Sequence, residues 1–337
     1  MTEDSYKKRA LQIFEEEPFR PRGLLASAHA QTLYQPLFRR SEELVLRCQK
    51  VEADDGEQLD VFLCEEFASA QSPLVVIAHG LEGSHKSVYV RGLQYALQRK
   101  GWGSAALVHR SCGGRINERQ RTYHSGETGD LASVVDYLSA CFPDRPLFVV
   151  GYSLSANQVA KWFGSEGEAL PKAVVAGVAV SPPFDLAVTS RRIDASLWGL
   201  YRRAFLRSLR PKGVEKHRRH PGLLDIQRIR SLKTLRDFDD AVTAPLHGFQ
   251  SAEDYYQKAI WTPFAASIRR PLLVLAARDD PFSKASSIPA GLGETSPWLH
   301  LLLTDRGGHV GFVQGCLSQP VYWSEMQICR ILEFYNR

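Results

Sequence analysis

The sequence predicts an α/β protein: a mostly parallel sheet, an antiparallel hairpin at its start and a helical cap inserted past its middle. Three observations carry that expectation. Apolar runs of strand length alternate with helical stretches, and the runs are apolar at almost every position, as strands covered on both faces are. The third is a gap of about ninety residues between two of the runs, far longer than a crossover needs. With 337 residues, 44% of them hydrophobic, the chain can bury one large core.

Taken in order, residues 1–42 form an N-terminal extension and residues 43–182 a first part of the core. Residues 43–66 alternate around Asp54-Asp55-Gly56, the signature of a hairpin. Strands follow at 73–78, 104–109, 146–152 and 173–180, with helices near 87–99, 127–141 and 154–164. Such an order implies parallel pairing through right-handed crossovers. Residues 183–268 are expected to be the cap: Leu197, Tyr201, Phe205 and Leu209 recur every four residues, and Leu223, Ile226, Ile229, Leu232 and Leu235 every three. Residues 269–337 complete the core with strands at 271–276 and 298–303 and a helix near 320–335. A cap so placed covers the carboxyl edge of the sheet, where open α/β sheets bind ligands.

Composition excludes several classes. No apolar run reaches the roughly 18 residues of a membrane span; Ala173–Val180 is among the longest and suits a buried strand. The N-terminus, "MTEDSYKKRALQIFEEEPFRP", lacks the apolar centre of a secretory signal, so a soluble, cytoplasmic protein is expected. The six cysteines are scattered without C-x-x-C or zinc-like spacing and read as reduced structural thiols. The net charge of +5 is uneven: residues 191–236 hold fourteen basic residues against Asp194, Glu215 and Asp225. A solvated basic face on the cap is the first reading of this segment, and peripheral contact with an anionic membrane the second. Nucleic acid is disfavoured, because the charge sits on a lid and on no recognised module.

The chemistry centres on "GYSLSAN" (151–157), which follows an apolar strand and opens a helix. Ser153 sits at the bend, where a nucleophile's hydroxyl would project, although Ser155 stands where the G-x-S-x-G pattern has its last glycine. The turn needs small residues there and not glycine as such, so Ser155→Gly is expected to preserve activity and Ser153→Ala to abolish it. A serine hydroxyl needs a base, and the base an orienting acid. "LLVLAARDDPF" (272–282) offers Asp280 as acid, with Asp279 structural, and "DRGGHVGF" (305–312) offers His309 as base. Ser, Asp and His in that order, each after a strand, make the α/β-hydrolase arrangement. Asp185 in "SPPFDL" competes for the acid's role. "AHGLEGSH" (78–85) supplies an oxyanion loop, in which the N–H of Leu81 joins that of Leu154 at the helix start, and His79 anchors the loop. No metal or organic cofactor is required.

Together, "HAQTL" (29–33), "HGLEGS" (79–84), "HRSCGG" (109–114), "YHSGETGDL" (123–131), "GYSLSAN", "SPPFDL" (181–186), "RDDPF" (278–282) and "GGHVGF" (307–312) resemble the YheT-like branch of the α/β-hydrolases, the AB hydrolase-4 family. The similarity runs from about residue 20 to the end. A family signature can be followed from Asp239 through Gly248-Phe249, Asp254-Tyr255-Tyr256, Ile268 and Pro271 to Asp280; Ile260 and the pair Ser155-Ala156 depart from the family pattern. The resemblance implies a serine esterase or lipase acting on small-molecule or lipid esters of short to medium acyl chains. It equally admits an alcohol acyltransferase using the same triad, and a non-catalytic binding protein on the same fold is the remaining alternative. The chain resembles the soluble bacterial form, its N-terminus showing no apolar anchor. Glu127 is expected in the first turn of a helix that Ser125 or Thr128 caps. Arg110 and Arg115 read as solvated loop arginines or as anion binders, and His29, Gln31 and Thr32 as rim or as buttress. Leu197, Trp198, Tyr201, Phe205 and Leu206 are candidates to shape an acyl pocket.

Overall fold

The computed structural model describes residues 3–336, so the outermost residues of the expected first and last segments lie outside the described residues. Eight strands form one sheet: β1 (Arg47–Glu52), β2 (Gln58–Cys64), β3 (Leu74–Ala78), β4 (Gly103–Val108), β5 (Leu147–Tyr152), β6 (Val174–Val180), β7 (Leu272–Ala277) and β8 (Leu299–Thr304). Their order is β1-β2-β4-β3-β5-β6-β7-β8. β1 and β2 form the expected hairpin, Arg47 opposite Leu63, and β2 runs antiparallel to β4; from β4 onward every pairing is parallel. A separate hairpin absent from the sequence reading, β9 (Val313–Cys316) with β10 (Gln319–Tyr322), follows the last parallel strand.

Among the described residues there are twelve α-helices: α1 (Glu3–Glu16), α2 (Ala28–Phe38), α3 (Val88–Gln98), α4 (Gly129–Cys141), α5 (Leu154–Glu166), α6 (Leu186–Ala195), α7 (Leu200–Arg219), α8 (Ile226–Ser231), α9 (Leu235–Phe238), α10 (Ala244–His247), α11 (Ala252–Ala259) and α12 (Trp323–Tyr335). Strand periodicity decides which helices meet which face. Leu74, Val76, Leu147 and Val149 pack with Leu131, Val134 and Leu138 of α4 and with Val159, Trp162 and Phe163 of α5. Their neighbours Val75, Ile77, Phe148 and Val150 pack on the opposite face with Val90, Leu93 and Leu97 of α3 and Ile328, Ile331 and Leu332 of α12. Two-sided burial is why these strands lack polar alternation.

Helices α6 to α11 all lie between β6 and β7, and they carry a hydrophobic cluster of their own around Ile193, Leu206, Leu209, Ile229 and Phe238. β3 is flanked by β4 on one side and β5 on the other, so the chain direction of strand addition reverses at β3. The crevice beyond the carboxyl ends of β3 and β5 is therefore the topological switch point. No helix among the described residues is long and apolar enough to cross a membrane.

Candidate active site

At the end of β5 the chain turns within one residue. Ser153 has φ 55 and ψ −113, outside the regions that L-residues prefer, and α5 begins at the next residue. Such a conformation costs on the order of 1–3 kcal/mol and persists only where its surroundings impose it. Here the Ser153 N–H donates to the Val180 carbonyl of β6 at 2.8 Å. Gly151 makes the bend possible, since a Cβ there would stand 2.2 Å from the Ser155 carbonyl oxygen.

The structure brings Ser153, His309 and Asp280 together. His309 Nε2 lies 2.7 Å from Ser153 Oγ, and His309 Nδ1 lies 2.8 Å from Asp280 Oδ2. With a carboxylate at Nδ1, the ring carries its proton there and Nε2 accepts from the serine hydroxyl. Asp280 is 2% exposed, and its second oxygen accepts the backbone N–H groups of Phe282 and Ser283 at 2.7 and 3.3 Å. The loop of His309 is fixed from three sides: its own N–H donates to Thr32 Oγ1 at 2.9 Å, the Val310 N–H to Ser181 Oγ at 3.1 Å, and the Gly308 N–H to Asp279 Oδ1 at 2.9 Å. Asp279 thus serves the backbone, and Asp185 caps α6 by accepting the Val188 N–H.

The loop after β3 turns sharply at Glu82, whose φ is 59, and closes with a Gly83 N–H to Gly80 carbonyl bond. Leu81 and Leu154 line the same cavity as Ser153 and His309. Ser155, in the place of the pattern's last glycine, is wholly buried and donates its hydroxyl to the His79 carbonyl at 2.5 Å. His109 Nε2 then donates to Ser155 Oγ at 2.6 Å, while the His109 N–H donates to His79 Nε2 at 3.2 Å. That leaves the proton of His79 on Nδ1, facing the Gly80 carbonyl at 2.7 Å. Burial pushes His109 down to about 4 and His79 well below its usual range, so both rings are neutral connectors. In the sequence reading His109 appeared only as the first residue of "HRSCGG", with no role given, because its partners His79 and Ser155 lie on two distant segments.

Several expectations need correction. Arg110 is neither solvated nor open to a ligand: its side chain is buried and holds Asp130 at 2.6 and 2.7 Å and Asp55 at 2.6 and 2.9 Å. Arg115 is half-exposed and reaches Glu57 and the Gln58 carbonyl. The cap of α4 is made by neither Ser125 nor Thr128; Glu127 Oε1 accepts the N–H groups of Gly129 and Asp130. Gln31 and Thr32 are buttresses, Gln31 bridging the Leu25 and Val313 backbones, and His29 meets the Tyr201 hydroxyl at 3.1 Å. Of the five residues offered for an acyl pocket, only Phe205 lines the cavity. Trp198 is 87% exposed, and Leu206 belongs to the cap's own core.

The cavity itself has about 130 Å³ open to the centre of a water molecule, and apolar side chains such as Phe205, Leu209, Ile193, Phe238 and Leu246 dominate its wall. The basic segment is only partly a solvated face. Arg192 donates to the Pro281 carbonyl, Lys212 pairs with Glu82 at 2.7 Å, and Arg219 pairs with Glu118, each bond joining the inserted helices to the sheet-bearing part. Lys216 is 1% exposed, bonded to the carbonyls of Asn117 and Arg119, and burial lowers it to about 8.

A family model described as the alpha/beta hydrolase fold matches residues 73–315. Among curated proteins, the chain is 37% identical to "Putative esterase YheT" of Escherichia coli over 92% of this chain and 91% of that one. It is 26% identical to human "Phospholipase ABHD3" over 89% and 74% of the two chains, and 28% identical to the "Monoacylglycerol lipase" of Saccharomyces cerevisiae over 78% and 60%. Among solved structures, the Pyrococcus furiosus esterase Pf2001 superposes with a TM-score of 0.57 at 19% identity, over 88% of this chain and 91% of that one, a likeness of fold.

Proposed function

Since the chain belongs to the YheT-like branch of the α/β-hydrolases and is a hydrolase of the esterase and lipase type, we propose that it cleaves carboxylic esters through a triad of Ser153, His309 and Asp280. The observation that carries this reading is the unbroken run of hydrogen bonds from Asp280 through His309 to Ser153, at 2.8 and 2.7 Å.

In the first half-reaction His309 Nε2 takes the hydroxyl proton as Ser153 Oγ bonds to the ester carbonyl carbon. Negative charge gathers on the former carbonyl oxygen, where the N–H groups of Leu81 and Leu154 serve as its donors; an N–H at the first residue of α5 has no partner inside the helix. Asp280 stabilises the imidazolium that forms and keeps the ring in register. The carbon–oxygen bond to the alcohol breaks, and the alcohol leaves with the proton from His309. In the second half a water gives its proton to Nε2 and attacks the acyl carbon. Ser153 Oγ departs and recovers the proton, and the carboxylic acid is released. The depressed histidines His79 and His109 take no part in these transfers, and no step calls on a metal or cofactor.

The apolar wall of the cavity suits an acyl chain, and the helices of residues 183–268 form the cap that shapes it. Initial rates on p-nitrophenyl esters of increasing acyl length test the reading. Hydrolysis should be clear for short and medium chains, and Ser153→Ala should lower it at least about a thousandfold. Wild-type rates in that variant would refute the assignment of Ser153. Release of alkyl esters faster than free acid in added alcohol would identify the acceptor as an alcohol and not water.

A further inference from the structure

The loop after β3 carries a side chain where its backbone calls for none. Gly80 to Gly83 make a four-residue turn, closed by the Gly83 N–H on the Gly80 carbonyl at 3.0 Å, and Glu82 in its third place has φ 59. That place favours glycine or asparagine, so a glutamate there is strained and is held by its surroundings. Glu82 Oε1 accepts the Tyr123 hydroxyl and the Lys212 ammonium, each at 2.7 Å, and the Glu82 N–H donates to the same Tyr123 oxygen at 2.9 Å. The carboxylate is enclosed, its side chain 8% exposed, and Lys212 stands on α7, among the inserted helices.

This turn decides where one N–H points. A Cβ on Gly80 would stand 3.1 Å from the Ser153 Cβ, so the loop lies directly against Ser153. The Gly80 carbonyl accepts the Gly83 N–H and faces His79 Nδ1 at 2.7 Å. A peptide unit is planar and trans, so a carbonyl pinned on one side sends the N–H of the same unit, that of Leu81, to the opposite side. The Leu81 N–H has no hydrogen-bond partner among the described residues, and Leu81 lines the cavity with Ser153 and His309. Release of the Glu82 side chain loosens the turn, frees the Gly80 carbonyl and lets that N–H swing. Of the contacts named, only that of Lys212 comes from the inserted helices.

We propose that Glu82 and Lys212 are positioning residues: through their ion pair the inserted helices hold the Leu81 N–H on the oxygen that turns negative when Ser153 adds to the ester. The proposal rests on the hydrolase reading above and names what fixes one of its two donors. Both side chains act through the turn, and the reacting atoms are left to Leu81, Leu154 and the triad. A donor stabilises a developing oxyanion only when it is aimed in advance, and acylation and deacylation both pass through such an oxyanion, so loss of aim lowers kcat whichever half limits it. Glu82 and Lys212 also border the cavity, so a bound acyl chain shields their pair from water and strengthens it as the site fills.

Initial rates on p-nitrophenyl butanoate and the inhibition constant of an alkyl trifluoromethyl ketone test this together. Ser153 Oγ adds to the carbonyl carbon of that ketone, His309 Nε2 takes the hydroxyl proton and the carbonyl oxygen becomes an oxyanion, so its affinity reads the donors without turnover. Glycine accepts φ 59 without strain, so Glu82→Gly takes away the carboxylate at little cost to the fold; Lys212→Met removes the charge and keeps the length of the side chain. Loss of a whole oxyanion donor costs about a hundred- to thousandfold, and a misaimed one less: each variant should lower kcat roughly ten- to hundredfold, leave KM within about twofold and weaken the ketone by the same factor as kcat/KM. The double variant should be no worse than the more affected single one, since both break one link, and Lys212→Arg, which keeps the pair, should recover most of kcat. A tether that only stabilised the inserted helices would lower the denaturation midpoint and leave kcat and ketone affinity in place. That outcome, a loss confined to KM, or losses that multiply in the double variant overturns the proposal. Failure of the hydrolase reading appears apart from these, as an unsubstituted protein that neither cleaves the ester nor binds the ketone.

Discussion

The turn at Ser153 depends on two small residues for different reasons. Gly151 cannot be replaced, since any Cβ would strike the Ser155 backbone. Ser155 itself contributes a hydroxyl that joins the His79 carbonyl to His109. The sequence reading treated Ser155 as a small residue and expected Ser155→Gly to preserve activity. The structure separates two effects. Ser155→Gly removes the hydroxyl that links the two groups and leaves the buried His79 carbonyl to the His109 Nε2–H 3.2 Å away, and a glycine in the first turn of α5 loosens it; the expected loss is about 1–2 kcal/mol of stability. Chemical denaturation should find that loss while Ser153 remains reactive. Unchanged stability would mean that the three-residue connection contributes nothing. Ser153, Asp280 and His309 were legible because each residue type follows a strand in a characteristic order. The roles of Ser181 and His109 were not, because their partners lie on distant segments and no local spacing announces them, while Thr32 was legible only as rim or buttress.

At the level of elements, the β1–β2 turn is fastened to the start of α4 by one buried guanidinium. Arg110 grips Asp55 in the turn and Asp130 in the helix, and the hydrogen bonds of Arg110 hold Asp55 down at about 2. Burial pulls Asp130 the other way, above its usual range. Arg110→Ala should cost about 3–5 kcal/mol, because it strands an enclosed carboxylate. The pH dependence has a definite sign. Asp55 titrates lower in the folded chain than in the unfolded one, so its contribution is complete above about pH 4 and is lost as pH falls towards 2. The stability gap between the unsubstituted protein and Arg110→Ala, measured by urea denaturation, should narrow across that interval; a gap that stays constant would mean Asp55 is not held by Arg110. The strands were legible as elements because two-sided burial writes itself as continuous apolar runs. The hairpin β9–β10 was hidden: it is two four-residue strands of mixed polarity, "VQGC" and "QPVY". The cap's helical periodicity was visible, but which of its residues face the cavity was not. Leu197 and Tyr201 share a repeat with Phe205 but do not line the cavity, and residues 197 and 198 adopt positive φ and break the helix just before α7.

For the molecule as a whole, the sheet's switch point, the turn at Ser153, the loops after β7 and β8 and the inserted helices converge on one cavity. Sequence order was enough to expect a ligand at the sheet's carboxyl edge, while the strand order that sets the switch point at β3 came from the structure. The charge of residues 191–236 was legible only as a total. In the fold, Arg192, Lys212, Lys216 and Arg219 are spent on contacts to residues outside the inserted helices, leaving less cationic surface than the count implies. What unites these levels is the run of hydrogen bonds from Asp280 through His309 to Ser153, opening on a cavity with a largely apolar wall. The most direct measurement is peptide mapping by mass spectrometry after exposure of the purified protein to a fluorophosphonate. A single adduct on Ser153, absent from Ser153→Ala and strongly slowed in His309→Ala, is the predicted result. An unmodified Ser153 in the folded protein, or an adduct on Ser155 or another serine, would contradict the account.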